Sequence, residues 1–155
     1  MADTQTSIIG ARPANYAGDV SADEVWRVLQ QDKNALLIDV RTKAEWTFVG
    51  LPDVSSIDKE TVCVEWQTFP SMDLNAGFLA GVKQAVEARG VSNDTNLFVI
   101  CRSGARSQSA SVALTAAGFG KAHNVAGGFE GDLNNDRHRG HATGWKAMGL
   151  PWRQS

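Results

Sequence analysis

Cysteine is scarce in this sequence, which has only Cys63 and Cys101 among its 155 residues. Because neither belongs to a C-x-x-C pair, the sequence favours neither a structural zinc site nor a disulfide framework. The N-terminal stretch carries Asp3 and no long apolar segment, so it does not have the pattern of a secretory signal. These features predict a protein of the reducing cytoplasm, in which a cysteine is available for thiol chemistry.

Long apolar runs and a strong excess of one charge are also missing. No stretch approaches the ~20 apolar residues that a membrane helix requires. The 15 basic and 17 acidic residues leave a net charge of −2, which gives no support for binding to nucleic acid or to a membrane. The length fits a single folded domain. We place this domain at residues 21–152, after a flexible N-terminal lead-in formed by residues 1–20.

Short apolar runs alternate with helical patterns along the chain. The predicted strands are ALLIDV (35–40), TVCVEW (61–66), NLFVIC (96–101) and AHNVAG (122–127). The predicted helices cover residues 21–34, 42–50, 75–90 and 107–118, and Ser21 with Glu24 matches a capping box at the start of the first. This alternation indicates an α/β fold with a mostly parallel sheet that helices cover on both faces. Cys63, between two valines, is predicted to pack in the core.

The segment VICRSGARS (99–107) ends an apolar strand in a cysteine and continues with small and basic residues. In a parallel sheet, ligands bind at the carboxyl ends of strands, where loops meet helix N-termini. The backbone N–H groups of such a loop can form a nest for an anion, and the dipole of the next helix adds partial positive charge. Together with Arg102 and Arg106, these groups favour the thiolate form of Cys101. The sequence therefore predicts a nucleophilic sulfur in a site suited to a small oxyanion.

The length of this loop bears on phosphoryl transfer. Cysteine phosphatases follow a C-x5-R pattern, whereas only four residues separate Cys101 from Arg106, and Ile100 stands where a histidine would precede the cysteine. The tighter loop suits a terminal sulfur atom better than a phosphoryl group, so a phosphatase or an arsenate reductase is a less favoured alternative. An inert buried thiol is another alternative, although such a residue needs neither a Gly/Ser loop nor two arginines.

Four segments together carry a family pattern. They are LLIDVRTKAEW (36–46), with a D-V-R-x-x-x-E-aromatic motif; CRSGARS (101–107); VAGGFEGD (125–132), with a glycine pair after the last strand; and GWKAMGLPW (144–152). From about Ser21 to Trp152 the chain resembles the rhodanese-like sulfurtransferases. The resemblance implies a central five-stranded, mostly parallel sheet with helices on both faces.

The resemblance also implies a reaction and a set of site residues. Cys101 would take the outer sulfur of a small anionic donor such as thiosulfate and pass it, as a persulfide, to cyanide, a thiol or a protein. The loop residues that would bind the substrate are Arg102, Ser103, Gly104, Ala105, Arg106 and Ser107. No cofactor is implied. The alternative is a non-catalytic or protein-fed sulfur-carrier or interaction module, which would keep Cys101 but ignore thiosulfate.

Three residues outside the loop are candidates for supporting roles. Asp39 and Arg41 are expected to tie a loop or the following helix to the scaffold rather than to act in catalysis. Trp145 is expected either to line the mouth of the pocket or to pack in the core. After Gly50 the family usually continues His-Ile-Pro-Gly-Ala, whereas this chain has Leu51-Pro52-Asp53-Val54, a departure that concerns local geometry rather than catalysis.

The loop between Gly128 and Trp145 is a second departure from the family pattern. It carries four basic or imidazole side chains, namely Arg137, His138, Arg139 and His141. Two histidines without acidic or cysteine companions are typical of solvated side chains, so no metal site is predicted. We expect the arginines of this loop to form a basic lid over the pocket, which would select an anionic donor or a partner protein.

Overall fold

A sheet of five strands forms the centre of the chain, which a computed structural model describes over residues 5–155. In chain order the elements are β1 (Gly18–Val20), α1 (Ala22–Gln31), β2 (Leu36–Asp39), α2 (Lys43–Phe48), β3 (Leu51–Pro52), a 3-10 turn (Ser55–Ile57), β4 (Val62–Cys63), β5 (Gln67–Thr68), β6 (Asp73–Leu74), α3 (Phe78–Ala88), β7 (Leu97–Ile100), α4 (Ala105–Ala116), β8 (Ala122–Val125), α5 (Gly144–Ala147) and β9 (Trp152–Arg153). The central sheet has the order β1-β8-β7-β2-β4, and all its neighbouring strands are parallel. The predicted five-stranded α/β architecture is confirmed.

Helices cover both faces of this sheet, because its strands bury side chains on both sides. Along β7, Leu97 and Val99 turn to one face, where they pack with α3 and α4. Phe98 and Ile100 turn to the other face, where they pack with α1 and α5. All four side chains are fully buried. Within residues 5–155, no helix combines the length and the apolar character needed to cross a membrane.

The strand β1 is not predicted from the sequence, because GDV is too short to form a recognisable apolar run. Its partner is β8, with Gly18 opposite His123 and Asp19 opposite Asn124. The strand lies within residues 1–20, which the sequence analysis treats as a lead-in; residues 1–4 lie outside the described part of the chain. β1 matters for the site because it brings Asp19 next to Asn124.

The start of α1 differs from the prediction, and α2 has the capping box instead. The side chain of Ser21 forms no capping hydrogen bond, and the Glu24 carboxylate binds Arg27 and the N–H group of Ser7. At α2, the Thr42 hydroxyl accepts from the N–H of Glu45 at 3.3 Å, and Glu45 accepts from the N–H of Thr42 at 3.2 Å. The box holds the Glu45 carboxylate at the N-terminus of α2.

The predicted strand over 61–66 is reduced to β4 at the edge of the sheet. Because side chains alternate along a strand, Val62 is buried whereas Cys63 is exposed. The prediction that Cys63 packs in the core is therefore wrong. The chain then enters the β5–β6 hairpin, whose turn exposes Phe69.

A second small antiparallel pair joins β3 to β9 near the C-terminus. Strand β3 of this pair consists of Leu51 and Pro52, two of the positions at which the sequence departs from the family pattern. The Nε1–H of Trp145 donates to the carbonyl of Pro151 at 2.7 Å, which anchors the C-terminal segment to the core.

Candidate active site

Cys101 directly follows β7, at the carboxyl end of the strand in the middle of the central sheet. Its side chain is 1% exposed and forms no disulfide. The Sγ atom accepts a hydrogen bond from the N–H of Gly104 at 3.1 Å and lies 3.1 Å from the Oγ of Ser107. The sulfur is therefore held inside its own loop, beside the N–H of Gly104 and the hydroxyl of Ser107.

The helix after the loop, α4, begins at Ala105 rather than at the predicted Ser107. Gly104 precedes it with a φ of 122°, a conformation that residues with a Cβ rarely adopt, and this turn directs the chain from strand to helix. The N–H groups in the first turn of α4 have no acceptor within the helix. The helix has 12 residues, so its dipole places partial positive charge beside the sulfur.

The glycine pair after β8 contacts the backbone of the cysteine loop directly. The N–H of Phe129 donates to the carbonyl of Cys101 at 2.8 Å, and the N–H groups of Glu130 and Gly131 donate to the carbonyl of Arg102 at 3.0 Å. A Cβ on Gly128 would lie 2.6 Å from the carbonyl carbon of Arg102. These contacts occupy the carbonyl groups of the loop. The glycine pair is visible in the sequence, but its contact with the cysteine loop depends on the fold.

Arg106 is held across the pocket by Glu45 of α2. Its Nη1 and Nη2 donate to the two carboxylate oxygens at 2.7 and 2.9 Å, and both side chains are about one-fifth exposed. Burial alone would raise the pKa of Glu45, but the hydrogen bonds and charge of Arg106 outweigh it and keep this pKa below its ordinary value. Arg106 is thus largely neutralised, whereas Arg102 is exposed and forms no ion pair with another described residue.

A cavity of about 570 Å³ opens beside the loop. Its lining includes the polar residues Thr42, Glu45, Arg102, Arg106, Glu130 and Arg139, and the apolar residues Ala44, Phe48, Val49, Phe69 and Met72. Phe48 is 79% exposed and Phe69 is 63% exposed. The predicted site residues Arg102 and Arg106 therefore meet in one pocket, together with an aromatic rim that the sequence analysis missed.

A chain of polar side chains leads away from the sulfur on the inner side of the loop. Ser107 Oγ lies 2.5 Å from Oδ1 of Asn124 in β8, and Nδ2 of Asn124 donates to Asp19 at 2.9 Å. The hydroxyl of Tyr16 also donates to Asp19 at 2.9 Å. Sequence reasoning found Ser107 but missed the other three, which lie outside every predicted motif.

Asp39 and Arg41 form a fully buried ion pair at the end of β2. Arg41 Nη2 donates to Asp39 at 2.8 Å and to the carbonyl of Gly50 at 2.7 Å, and its guanidinium lies 4.3 Å from the ring centre of Phe129. Neither side chain reaches the cavity. The pair ties the segment after α2 to the sheet through the carbonyl of Gly50.

Trp145 does not line the mouth of the pocket. It is fully buried and packs edge-to-face against Trp26 of α1, with ring centres 6.0 Å apart. The wide apolar surface between α1 and α5 explains this position. The structure therefore places Trp145 among the core residues.

The basic loop after Gly128 contributes one arginine to the pocket. Arg139 lines the cavity and donates to the carbonyl of Gly131 at 2.7 Å, whereas Arg137 is exposed and does not line it. The rings of His138 and His141 are 6.5 Å apart. Among the described residues, no three His, Cys, Asp or Glu side chains are grouped so that they could hold a metal ion.

Sequence comparisons place the chain in a family. The family described as the STR4 middle domain matches residues 17–155, a range that includes β1. Uncharacterized protein RC0915 of Rickettsia conorii is 33% identical over 134 residues, which are 86% of this chain and 95% of that protein. Rhodanese-like domain-containing protein 4, chloroplastic, of Arabidopsis thaliana is 25% identical over 147 residues, which are 95% of this chain but 28% of that protein.

Solved structures show the same fold. Rv0390 from M. tuberculosis has a TM-score of 0.79 and 45% identity, covering 90% of this chain and 99% of its own. The polysulfide-sulfur transferase from Wolinella succinogenes has a TM-score of 0.53 and 22% identity over 88% of this chain and 78% of its own, so its likeness concerns the fold alone. This chain belongs to the STR4 middle domain family and has a rhodanese-like α/β fold.

Proposed function

We propose that this protein is a sulfurtransferase that carries a sulfane sulfur on Cys101 as a persulfide. The observation that carries the proposal is the placement of Sγ, which is buried at the end of β7 with the N–H of Gly104 at 3.1 Å. The N-terminus of α4 lies beside it, so negative charge on sulfur meets fixed backbone dipoles instead of water. The relatedness to a rhodanese-like domain-containing protein supports the same chemistry.

Loading begins with attack of the Cys101 thiolate on the outer sulfur of a donor such as thiosulfate. A new S–S bond forms at Sγ, the S–S bond of thiosulfate breaks, and its electron pair leaves with sulfite. The product is a persulfide anion on Cys101, and the total charge is unchanged. Arg102 and Arg139, which line the cavity, attract the anionic donor, while the paired Arg106 shapes the wall next to the loop.

In discharge, Sγ of Cys101 is the leaving group, whereas in loading it is the nucleophile. A nucleophilic acceptor (cyanide, a thiol or a protein) attacks the terminal sulfur, and Sγ leaves as a thiolate. The N–H of Gly104 stabilises the charge that develops on Sγ in this step. The cycle needs no cofactor or metal, because the acceptor itself regenerates the Cys101 thiolate.

One observation favours a second candidate, a carrier that receives sulfur from a larger donor. The cavity is far larger than thiosulfate needs, and exposed Phe48 and Phe69 form its rim. Cavities of ~300–1,000 Å³ usually hold organic ligands or parts of a partner. Such a protein-fed carrier would form the same Cys101 persulfide but would react poorly with thiosulfate.

The intact mass of the purified protein before and after thiosulfate tests the proposal. Because Cys63 is exposed, the parent for this experiment is Cys63→Ser, and the matched variant also carries Cys101→Ser. We expect the parent alone to gain one sulfur atom, and cyanide or dithiothreitol to remove it. A gain in both proteins would refute the assignment of Cys101. No gain with thiosulfate, but a gain with a persulfide-bearing protein donor, would identify the second candidate.

A further inference from the structure

The direction of each hydrogen bond between Cys101 and Asp19 can be assigned from chemistry. An ionised carboxylate only accepts, so the amide group of Asn124 must turn Nδ2 toward Asp19, 2.9 Å away. Its Oδ1, which also only accepts, then faces Ser107 Oγ at 2.5 Å. The Ser107 hydroxyl therefore donates to Asn124, because two oxygens at this distance need a proton between them.

Ser107 has only one hydroxyl proton but three acceptors within reach. Besides Asn124, these are Sγ of Cys101 at 3.1 Å and the carbonyl of Gly104 at 3.2 Å. While the proton points to Asn124, Ser107 turns a lone pair toward the sulfur, which suits a neutral thiol. When Sγ carries charge, the hydroxyl can rotate and donate to it. The N–H of Gly104, in contrast, is fixed by the backbone and faces the sulfur throughout.

Asp19 is itself held in place from two directions. β1 pairs with β8 so that Asp19 lies opposite Asn124, and Tyr16 donates its hydroxyl to the same carboxylate oxygen that accepts from Asn124. Tyr16 and Asn124 are both buried, at 6% and 5% exposure. Burial, followed by the hydrogen bond and charge of Asp19, raises the pKa of Tyr16 to about 12, so Tyr16 remains a donor at neutral pH.

We propose that Asp19 and Asn124 are positioning residues that act through Ser107: the carboxylate fixes the Asn124 amide, which keeps the Ser107 hydroxyl off the sulfur until charge develops on Sγ. This proposal rests on the proposed role of Cys101 as the sulfur carrier and adds a switchable donor to it. In discharge, the bond between Sγ and the terminal sulfur breaks and its electron pair stays on Sγ. The Ser107 hydroxyl then rotates from Asn124 to Sγ and stabilises the leaving thiolate, with no net proton transfer.

The sharpest test is Asp19→Asn, which keeps the shape of the side chain but replaces one acceptor oxygen with an NH2 donor. An asparagine can accept or donate, so it no longer forces one orientation of Asn124. When the Asn124 amide flips, its Nδ2 donates to Ser107 Oγ. The Ser107 hydroxyl can then no longer donate to Asn124 and donates to Sγ of Cys101 instead. The measurement is the rate of Cys101 alkylation by iodoacetamide in the Cys63→Ser background, at a pH where this rate still rises with pH.

We expect Asp19→Asn to raise the alkylation rate about threefold. One hydrogen bond to a charged sulfur shifts the thiolate population about tenfold, and the lower nucleophilicity of the stabilised thiolate offsets part of that gain. In a Ser107→Ala background the increase should disappear, because the hydroxyl that carries it is gone. Asp23→Asn, which removes an exposed charge from α1, should leave the rate unchanged.

The possible outcomes separate three explanations. An equal increase with and without Ser107 would mean that Asp19 acts only through its charge, and an unchanged rate in Asp19→Asn would mean that the amide is fixed by other contacts; either result overturns the proposal. Asn124→Ala provides a second route to the same released hydroxyl and should also raise the rate only when Ser107 is present. Because alkylation needs no sulfur donor, failure of the parent to load sulfur from either thiosulfate or a persulfide-bearing protein donor would refute the proposed function without affecting this test.

Discussion

Glu45 and Arg106, 61 residues apart in the chain, meet through two parallel hydrogen bonds of 2.7 and 2.9 Å. The same carboxylate completes the capping box of α2 through Thr42. A single side chain thus fixes the start of a helix and one wall of the candidate active site.

Glu45→Gln separates these two roles, because glutamine also completes a capping box. We expect the variant to keep α2 but to lose the charge of the pair with Arg106, lowering the free energy of unfolding by about 1–2 kcal/mol at neutral pH. Urea denaturation of the parent and the variant measures this difference. Thr42→Ala, which removes the cap and leaves the ion pair, is the matched comparison.

The stability difference caused by Glu45→Gln should depend on pH. The pKa of Glu45 is lower in the folded protein than its ordinary value of 4.5, so the ion pair contributes fully above pH 4.5. Its contribution is lost as the pH falls below 4.5 and through the folded pKa. Denaturation between neutral pH and about pH 3 should show parent and variant converging. A difference that stays constant over this range would show that the charge of Glu45 does not stabilise the fold.

Gly128→Ala tests whether the glycine pair shapes the cysteine loop. The added Cβ would lie 2.6 Å from the backbone carbonyl of Arg102, and residue 128 has a φ of 61°, so the loop must shift. We expect sulfur loading of Cys101 to fall at least tenfold and stability to fall by about 1–3 kcal/mol.

Gly120→Ala is the control for that substitution, since a Cβ at Gly120 meets no atom within 4 Å. In this control, the loading rate measured by intact mass should match that of the parent. The free energy of unfolding should also match. Normal loading in Gly128→Ala would mean that the loop tolerates a shift of its carbonyl groups.

Arg139→Ala and Arg137→Ala test the two arginines of the predicted basic lid separately. Only Arg139 lines the cavity, while Arg137 is exposed outside it. We expect Arg139→Ala to raise the KM for thiosulfate about fivefold, as the loss of a partly screened charge implies, and to change kcat little. Steady-state assays with cyanide as the acceptor measure both constants. Equal effects of the two substitutions would indicate general attraction by the loop rather than a defined subsite.

The helix starts illustrate what the sequence can and cannot specify. Ser21 with Glu24 and Thr42 with Glu45 have the same spacing, but only the second pair forms a capping box. Glu24 is diverted by Arg27, its neighbour on α1, and by a backbone group of Ser7. A local pattern therefore predicts the helix, but the contacts available in the folded chain decide which hydrogen bonds form.

In the candidate site, too, local sequence patterns identify some residues, while others depend on contacts formed in the folded chain. Cys101 and its loop were identifiable because their residues are contiguous, and the apolar strand before them predicts where they lie in a parallel sheet. Asn124 was not identifiable, because it is 17 residues from Ser107 and 105 residues from Asp19. Its role depends on the pairing of β1 with β8, and β1 is too short to be recognised in the sequence.

Arg41→Met tests whether the buried pair after β2 supports the fold rather than the chemistry. Both side chains of the pair are inaccessible to solvent, so removing Arg41 leaves the Asp39 carboxylate buried and unpaired. We expect a loss of about 3–5 kcal/mol in unfolding free energy. Arg153→Met is the matched control, because its ion pair with Asp53 reaches solvent and its loss should change the unfolding free energy far less.

The double variant Asp39→Asn/Arg41→Met removes the unpaired charge and keeps an acceptor for the N–H of residue 41, which Asp39 binds at 3.0 Å. It should therefore recover part of the stability that Arg41→Met loses, as urea denaturation would show. The folded fraction of the double variant should load sulfur at a rate close to that of the parent, because neither side chain forms a hydrogen bond to Cys101 or to the loop that follows it. A stable double variant with no loading would instead show that Asp39 or Arg41 takes part in the chemistry at Cys101.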